Sequence, residues 1–125
     1  MAERQNRRAI GTAYEQQAAR FLENQGHLIL ERNFRCRFGE IDLISKKDGV
    51  LVFSEVKFRS TAGYGDPMEA VTAKKQKTIS DVASYYLYRN RIPEDVPCRF
   101  DVIAVSEQSI RVYENAFSYQ GRFRW

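Results

Sequence analysis

The sequence predicts a single α/β domain in which helices pack on a mixed β-sheet. A segment with helical spacing precedes three β-rich segments, and two of these flank Asp48-Gly49, a dipeptide typical of a tight hairpin turn. A second helical segment then leads into a nearly continuous apolar strand. This strand, helix, strand order predicts a right-handed parallel crossover, so the sheet should contain both antiparallel and parallel pairs.

The composition fits one globular domain. The chain has 125 residues, of which 43% are hydrophobic, and its eight Phe, seven Tyr and one Trp are sufficient for a sizeable core. A net charge of +4 favours a polyanionic partner without requiring one. Cys36 and Cys98 are isolated, without a CxxC motif, so we expect reduced thiols in a cytoplasmic protein that has no membrane span. His27, the only histidine, follows a helix-ending glycine and is expected to be exposed or in a turn rather than catalytic.

The segment from Gly39 to Arg59 carries the polar residues of greatest chemical interest. Side chains two apart on a strand share a face, so Glu40 and Asp42 should point one way, and Glu55 and Lys57 should point together. Carboxylates in an apolar strand are costly unless they are paired or bound to a cation. One explanation is a structural ion pair between Lys57 and Asp42 or Glu55. The other is a hydrolytic metal site, in which two carboxylates hold Mg²⁺ and the ammonium stabilises negative charge.

The first helix is predicted from about Arg8 to Gln25, with Gly26 suited to end it. Glu15 lies on or beside the apolar stripe of this helix. It either sits at the margin and pairs with an arginine, or reaches over the sheet towards the acidic residues. The residues 27–35 then read as a first strand.

The second helix is predicted to run to about Arg89, with Asp66-Pro67 or Thr72 at its start. Its apolar stripe, traced back one turn, arrives at Lys75 and Gln76, close to the expected acidic cluster, whereas Lys74 and Lys77 should lean outward. Positive charge at a helix start opposes the helix dipole and indicates an offsetting anion.

The last third of the sequence predicts one long strand, one short strand and a tail. Cys98 to Val105 should be buried on both faces, with Asp101 paired to a lysine or arginine of a helix. Ile110 to Tyr113 reads as a final short strand. We divide the chain into a flexible basic N-terminus (1–8), a folded domain (9–115) and an aromatic and basic tail (116–125). Packing is the first expectation for the tail, with dimerisation or nucleic-acid binding as alternatives.

Several motifs occur in an order that resembles a known superfamily. Helix, antiparallel hairpin, Glu-x-Lys and crossover helix resemble the PD-(D/E)XK nucleases, although Ile41 stands where the name of the superfamily has proline. More closely, the chain resembles the uncharacterised bacterial YraN-like family, itself similar to archaeal Holliday-junction resolvases. The resemblance covers Gly11 to Val105. The motifs that carry it are Gly39-Glu-Ile-Asp42, Phe53-Ser-Glu55-Val-Lys57-Phe-Arg59, Gly65-Asp-Pro67 with Glu69-Ala-Val71, Lys75-Gln76 and Phe100-Asp101.

This resemblance implies a single-domain αβββαβ restriction-endonuclease-like sandwich with a mixed central sheet. It also implies a metal-dependent endonuclease that cleaves phosphodiester bonds in DNA, including branched or junction DNA, with Mg²⁺ or Mn²⁺ as cofactor. The implied metal ligands are Asp42, Glu55 and the carbonyl of Val56. The implied catalytic residues are Glu15, Asp42, Glu55, Lys57 and Gln76, with Lys75 as the other helix residue near the site.

Basic and aromatic side chains around these positions are suited to phosphates and bases. The candidates for nucleic-acid binding are Arg35, Arg37, Arg59, Tyr64, Lys74, Lys75 and Lys77. For many of them a solvated surface or a plain loop is the simpler explanation. Two other classes of function therefore stay open: a non-catalytic nucleic-acid-binding protein on a nuclease fold, and a structural or protein-interaction domain. By analogy with resolvases, a homodimer would suit the catalytic reading.

Overall fold

A computed structural model describes residues 2–59 and 71–121, with side chains from residue 12 onward. Two helices and five strands make up these ranges. They are α1 (Ala2–Asn24), β1 (Leu28–Cys36), β2 (Gly39–Lys47), β3 (Val50–Phe58), α2 (Ala73–Arg89), β4 (Cys98–Val105) and β5 (Ile110–Phe117). The predicted α/β class and the αβββαβ order are confirmed, and the predicted final strand after them is present as β5.

The five strands form one mixed sheet in the order β1-β2-β3-β4-β5. Strands β3 and β4 are parallel, and the other neighbouring pairs are antiparallel. Asp48 and Gly49 both adopt left-handed backbone angles, with φ of 51° and 79°, as the tight turn between β2 and β3 requires. The predicted hairpin and the predicted parallel pairing across the second helix are therefore confirmed.

The two helices cover opposite faces of the sheet. Alternation along β4 sends Val102 into the apolar cluster beneath α2 and the next residue, Ile103, into the cluster beneath α1. The α2 cluster includes Ile79, Val82, Leu87, Ile44, Phe53 and Phe100, and the α1 cluster includes Ala18, Ala19, Leu22, Leu43 and Val105. Each large apolar side chain buried in this way contributes about 1.5–3 kcal/mol, so the two clusters hold both helices on the sheet.

Helix α2 begins at a side-chain cap. The hydroxyl oxygen of Thr72 accepts a hydrogen bond from the backbone N–H of Lys75 at 3.2 Å. This confirms Thr72 as a start of the main helix, while the other predicted start, Asp66-Pro67, lies outside the described residues. The cap fixes the backbone of the first turn, which carries the predicted lysines.

The outer elements extend further than their sequence patterns indicate. Helix α1 begins at Ala2 rather than near Arg8, and β5 continues to Phe117, four residues beyond Tyr113. Stacking explains the extension of β5, because the ring of Phe117 lies 5.0 Å from that of Phe100. Further along, the Tyr119 hydroxyl lies 2.9 Å from the Ser84 hydroxyl of α2. Through Gly121, this part of the tail packs on the domain, as expected; residues 122–125 lie outside the described residues.

Two polar side chains differ from expectation. His27 is buried rather than exposed, with its Nδ1 atom 2.8 Å from the Ser45 hydroxyl, and burial lowers its pKa. Asp101 pairs with Arg99 of its own strand at 3.1 Å, not with a helix residue. It also accepts a hydrogen bond from the backbone N–H of Asn115. Residues two apart on β4 share a face, so the strand itself supplies the cation that we expected from a helix.

Cys36 and Cys98 are both free thiols, as their isolation in the sequence predicts. Burial raises the pKa of the Cys98 thiol to about 11, so this group is neutral at physiological pH. Neither α1 nor α2 combines the length and the hydropathy that a membrane crossing requires.

We predict that Gly39→Ala destabilises the protein by about 1–3 kcal/mol. Gly39 has a φ of 148°, and an added Cβ would lie 2.6 Å from the Cγ2 atom of Thr78 in α2. The β-branched Thr78 side chain is stiff and has little room to give way. Urea denaturation measures the loss in free energy of unfolding. In a Thr78→Ser background, which removes Cγ2, the same change should cost less; an equal cost in both backgrounds would contradict the proposed clash.

Candidate functional site

The backbone pairing of β2 with β3 stops just before the polar residues. The last paired residues are Leu43 and Ser54. Beyond them the Asp42 carboxylate lies between the strands, and its Oδ2 atom accepts a hydrogen bond from the backbone N–H of Val56 at 2.8 Å. An acidic side chain therefore takes the place of a backbone carbonyl at the end of the hairpin.

The carbonyl group of Val56 faces the same space between β2 and β3, beyond Leu43 and Ser54, which we call the gap. Leu51 and Arg59 donate their backbone N–H groups to carbonyls on the β4 side. Val56 is an odd number of residues away from both, so its backbone groups point to the opposite edge of β3. The N–H and C=O of one strand residue point to the same edge. The Val56 carbonyl is therefore directed towards β2, on the side of Asp42, which is the position that a metal ligand would need.

Glu55 is held by two lysines from different elements. Its Oε1 atom lies 3.3 Å from the Lys57 ammonium and 3.6 Å from that of Lys75, and the Glu55 side chain is 7% exposed. The shared face predicted for Glu55 and Lys57 is thus present, and so is the ion pair named as one explanation. This ion pair does not include Asp42, and no cationic side chain of the described residues forms an ion pair with the Asp42 carboxylate.

Asp42 has the most perturbed carboxyl group near this gap. Burial and the negative charge of Glu55 raise its pKa from the ordinary value of 3.8, against the opposing effect of the Val56 hydrogen bond, and the net result is a pKa of about 7. A buried acid that titrates near neutral pH is typical of a functional site. Among the described residues, the cations of this region, Lys57 and Lys75, pair with Glu55 rather than with Asp42.

Glu15 of α1 lies close enough to contribute to this electrostatic environment. Burial raises the pKa of Glu15, a hydrogen bond from the Asn33 side chain lowers it, and the carboxylates of Glu40 and Glu55 raise it. The charge of Glu15 in turn raises the pKa of Asp42. Glu15 therefore lies within electrostatic range of the acidic residues and also of Arg35, whose positive charge lowers the pKa of Glu15, so elements of both predicted arrangements are present.

Asn33 is a residue at this site that the sequence pattern did not single out. It lies in β1 with a φ of 52°, in the left-handed region, and its side chain bonds to Glu15. Asparagine is among the few residues that adopt this conformation readily. An Asn in the middle of a strand pattern was the available signal.

The acidic residues do not form a cage of three or more protein ligands. In residues 2–59 and 71–121, no group of three His, Cys, Asp or Glu side chains could hold a metal ion. A metal would therefore rest on Asp42, Glu55 and the Val56 carbonyl, with water in its other positions. Mg²⁺ commonly binds through one or two carboxylates and keeps several waters, so this oxygen set fits such an ion.

An aromatic stack positions α1 beside the gap. The rings of Tyr14 and Phe58 lie 4.0 Å apart with an angle of 16° between their planes. Tyr14 precedes Glu15 and Phe58 follows Lys57, so the stack fixes two predicted site residues on facing elements.

The predicted residues of α2 divide as their spacing indicates. Lys74 and Lys77 are exposed, and Lys77 pairs with Asp81 at 3.6 Å, whereas Lys75 and Gln76 are half-buried. The Gln76 side-chain amide donates a hydrogen bond to the Val71 carbonyl at 3.0 Å, which ties the start of the helix to the preceding residues. This local bond is the contact observed for Gln76, and no contact with the acidic residues accompanies it in the described part of the chain.

The predicted arginines lie near the ends of the strands that bear Asp42 and Glu55. Arg35 is exposed and forms an ion pair with Glu40. The guanidinium carbon of Arg37 lies 4.9 Å from the centre of the Phe38 ring, in the turn between β1 and β2. Arg59 donates a hydrogen bond to the Phe58 carbonyl at 3.1 Å. The last candidate, Tyr64, lies outside the described residues.

We predict that Asp42→Asn stabilises the metal-free protein at about pH 8 by about 2–4 kcal/mol and has little effect at about pH 4. The folded-state pKa of about 7 lies above the ordinary 3.8, so this carboxyl group costs nothing when protonated and progressively more as pH rises between those values. At about 1.36 kcal/mol for each pKa unit, the difference corresponds to at most ~4 kcal/mol.

Thermal and urea unfolding across this pH range, with a chelator present, measure the effect. Asparagine keeps an oxygen that can accept the Val56 hydrogen bond, so the comparison isolates the charge. Glu94→Gln, an equivalent change at an exposed loop position, should have no pH-dependent effect. A stability gain for Asp42→Asn that is equal at both pH values would contradict the assignment.

The chain matches the family described as "Uncharacterised protein family UPF0102" over residues 14–105. A UPF0102 protein of Lachnoclostridium phytofermentans is 47% identical over 116 residues, which cover 93% of this chain and 98% of the relative. One from Symbiobacterium thermophilum is 50% identical over 115 residues (88% and 97%), and one from Clostridium botulinum strain Loch Maree is 44% identical over 114 (86% and 93%). The matched range includes β2, β3, all of α2 and the part of α1 that carries Glu15, and the chain belongs to the UPF0102 family.

Proposed function

We propose that this protein is a metal-dependent endonuclease that hydrolyses phosphodiester bonds in DNA. The observation that carries the proposal is the buried Asp42 carboxyl group, with a pKa of about 7, beside Glu55 and on the side to which the Val56 carbonyl points. The order of motifs, which resembles that of PD-(D/E)XK nucleases, supports the same reading. Fold alone does not decide activity, so the proposal rests on this site.

The residues around the gap fit a hard divalent cation. Asp42 and Glu55 are buried acids, and the Val56 carbonyl would complete a set of oxygen donors, which Mg²⁺ and Mn²⁺ prefer. A cation placed there would also give Asp42 the ion-pair partner that it lacks among the described residues. Such an ion supplies Lewis acidity towards a phosphate oxygen and lowers the pKa of a bound water.

Lys57 is suited to stabilise negative charge on a phosphate. Its ammonium lies 3.3 Å from Glu55 and its side chain is 25% exposed, so it faces both the acidic residues and solvent. This position suits the ammonium to stabilising negative charge on a phosphate oxygen, which is the role we assign to it. Glu15, a half-buried acid with a raised pKa, is placed to hold a proton near the same gap.

The basic side chains around the gap suit the backbone of a nucleic acid. Arg35 lies in β1, Arg37 lies in the turn between β1 and β2, and Lys74 and Lys75 lie at the start of α2. Contacts of this kind bind phosphates without reading sequence, and they weaken as salt rises. The likeness to Holliday-junction resolvases supports branched DNA as substrate, and a homodimer would present two such sites to one junction.

We predict that Asp42→Asn and Lys57→Met each lower DNA cleavage by about a hundredfold or more. The first removes the negative charge of a proposed metal ligand, and the second removes the stabilising ammonium. Linear, flapped and four-way DNA substrates, incubated with Mg²⁺ or Mn²⁺, measure the rates. Glu94→Gln and Lys46→Met make the same chemical changes at exposed positions far from the gap and should cleave as the wild type does.

If Asp42→Asn is more stable than the wild type, as predicted above, its loss of activity cannot arise from unfolding. A second function is favoured by one specific observation: Lys57 and Lys75 already neutralise Glu55, as a purely structural ion pair would. Salt-sensitive DNA binding by all variants, with no cleavage by any of them under either metal, would establish a non-catalytic nucleic-acid-binding protein instead.

A further inference from the structure

Two ammonium groups share a single oxygen of Glu55. Lys57 and Lys75 approach the same Oε1 atom at 3.3 and 3.6 Å. One carboxylate carries a single negative charge, so the arrangement holds more positive charge than Glu55 alone neutralises. One of the two lysines can therefore turn to another anion and still leave Glu55 paired with the other.

The structure distinguishes the two lysines. Lys57 lies two residues from Glu55 on the same strand, so strand geometry keeps the two side chains on one face. Lys75 comes from the first turn of α2, and its side chain is 39% exposed, against 25% for Lys57. Its backbone is fixed by the Thr72 cap, but its four-carbon side chain can turn towards solvent. Lys75 is the residue able to exchange partners.

The first turn of α2 is positively charged and would be stabilised by a nearby anion. Its first turn contains no acidic side chain and begins with Lys74 and Lys75, whose charges oppose the helix dipole. In this structure Glu55, from β3, supplies the negative charge to Lys75. A phosphate group of a nucleic acid would satisfy the same lysine.

A divalent cation at Glu55 would bind better with the ammonium groups further away, because it competes with them for the carboxylate oxygen and is repelled by their charge. We propose that Lys75 exchanges between Glu55 and a phosphate of the bound nucleic acid, so that nucleic acid and metal bind cooperatively. In the free protein Lys75 weakens metal binding at Glu55, and a bound strand removes that competition. The proposal rests on the proposed function, and linkage makes the coupling reciprocal: the metal strengthens nucleic-acid binding by the same factor.

The first test measures metal binding by the free protein. Buffered Mn²⁺ is titrated while the NMR signal of the Val56 backbone amide, next to Glu55, reports on paramagnetic broadening at this site. Lys75→Met should bind Mn²⁺ about three- to tenfold more tightly than the wild type, since one competing charge is gone. Lys75→Arg keeps the charge and should stay near the wild type. Lys46→Met loses the same charge at the other end of the hairpin and should not change Mn²⁺ affinity.

The second test adds a phosphorothioate DNA duplex, which resists hydrolysis. Bound duplex should tighten Mn²⁺ binding in the wild type and in Lys75→Arg, and by a clearly smaller factor in Lys75→Met. Unchanged or weaker Mn²⁺ binding by free Lys75→Met would overturn the proposal, as would equal coupling in all three proteins. The proposed function fails separately, if Mn²⁺ leaves the Val56 signal unaffected in every variant.

Discussion

The end of the β2–β3 ladder is the constraint on which the site depends. Backbone pairing stops at Leu43 and Ser54, and the next inward-facing N–H of β3, that of Val56, has no backbone partner on β2. A buried N–H group must find an acceptor, and the Asp42 carboxylate provides it. One hydrogen bond thus completes the sheet and places an acid beside Glu55. The local geometry reflects the break, since Ile41 and Leu43 pack in clusters on opposite faces although they are two residues apart.

The buried Asp42 carboxyl group has an energetic cost, which the stability of the rest of the fold offsets. A carboxyl group with a pKa near 7 is destabilising when it is ionised, and no cationic side chain in the described part of the chain forms an ion pair with Asp42 to offset this. The apolar clusters beneath both helices stabilise the fold enough to offset this electrostatic cost. Proteins break the usual rules of burial mostly where function requires it, and here the exception and the candidate site coincide.

All three layers of the sandwich contribute charge to the same region. The sheet brings Asp42, Glu55 and Lys57, α1 brings Glu15, and α2 brings Lys75. The layers are fixed relative to one another by packing rather than by the charges themselves. Glu15 from α1 and Lys75 from α2 can therefore both be held close to the buried carboxylates without contacting each other.

The sequence by itself determined the features that arise from short-range periodicity. The Asp48-Gly49 turn, the common face of Glu55 and Lys57, and the inward position of Lys75 relative to Lys74 all follow from local backbone geometry.

Only the tertiary structure decided which distant residues meet. The burial of His27 against Ser45, the Asp42 bond to Val56, and the meeting of Lys75 with Glu55 each join separate elements. The partner of Asp101 is Arg99 of its own strand, and the sequence pattern alone did not show that this residue would be chosen over a lysine or arginine of a helix. Periodicity states which way a side chain points, whereas its partner depends on how the layers pack, and this is why the elements were predictable and the partners of these charged groups were not.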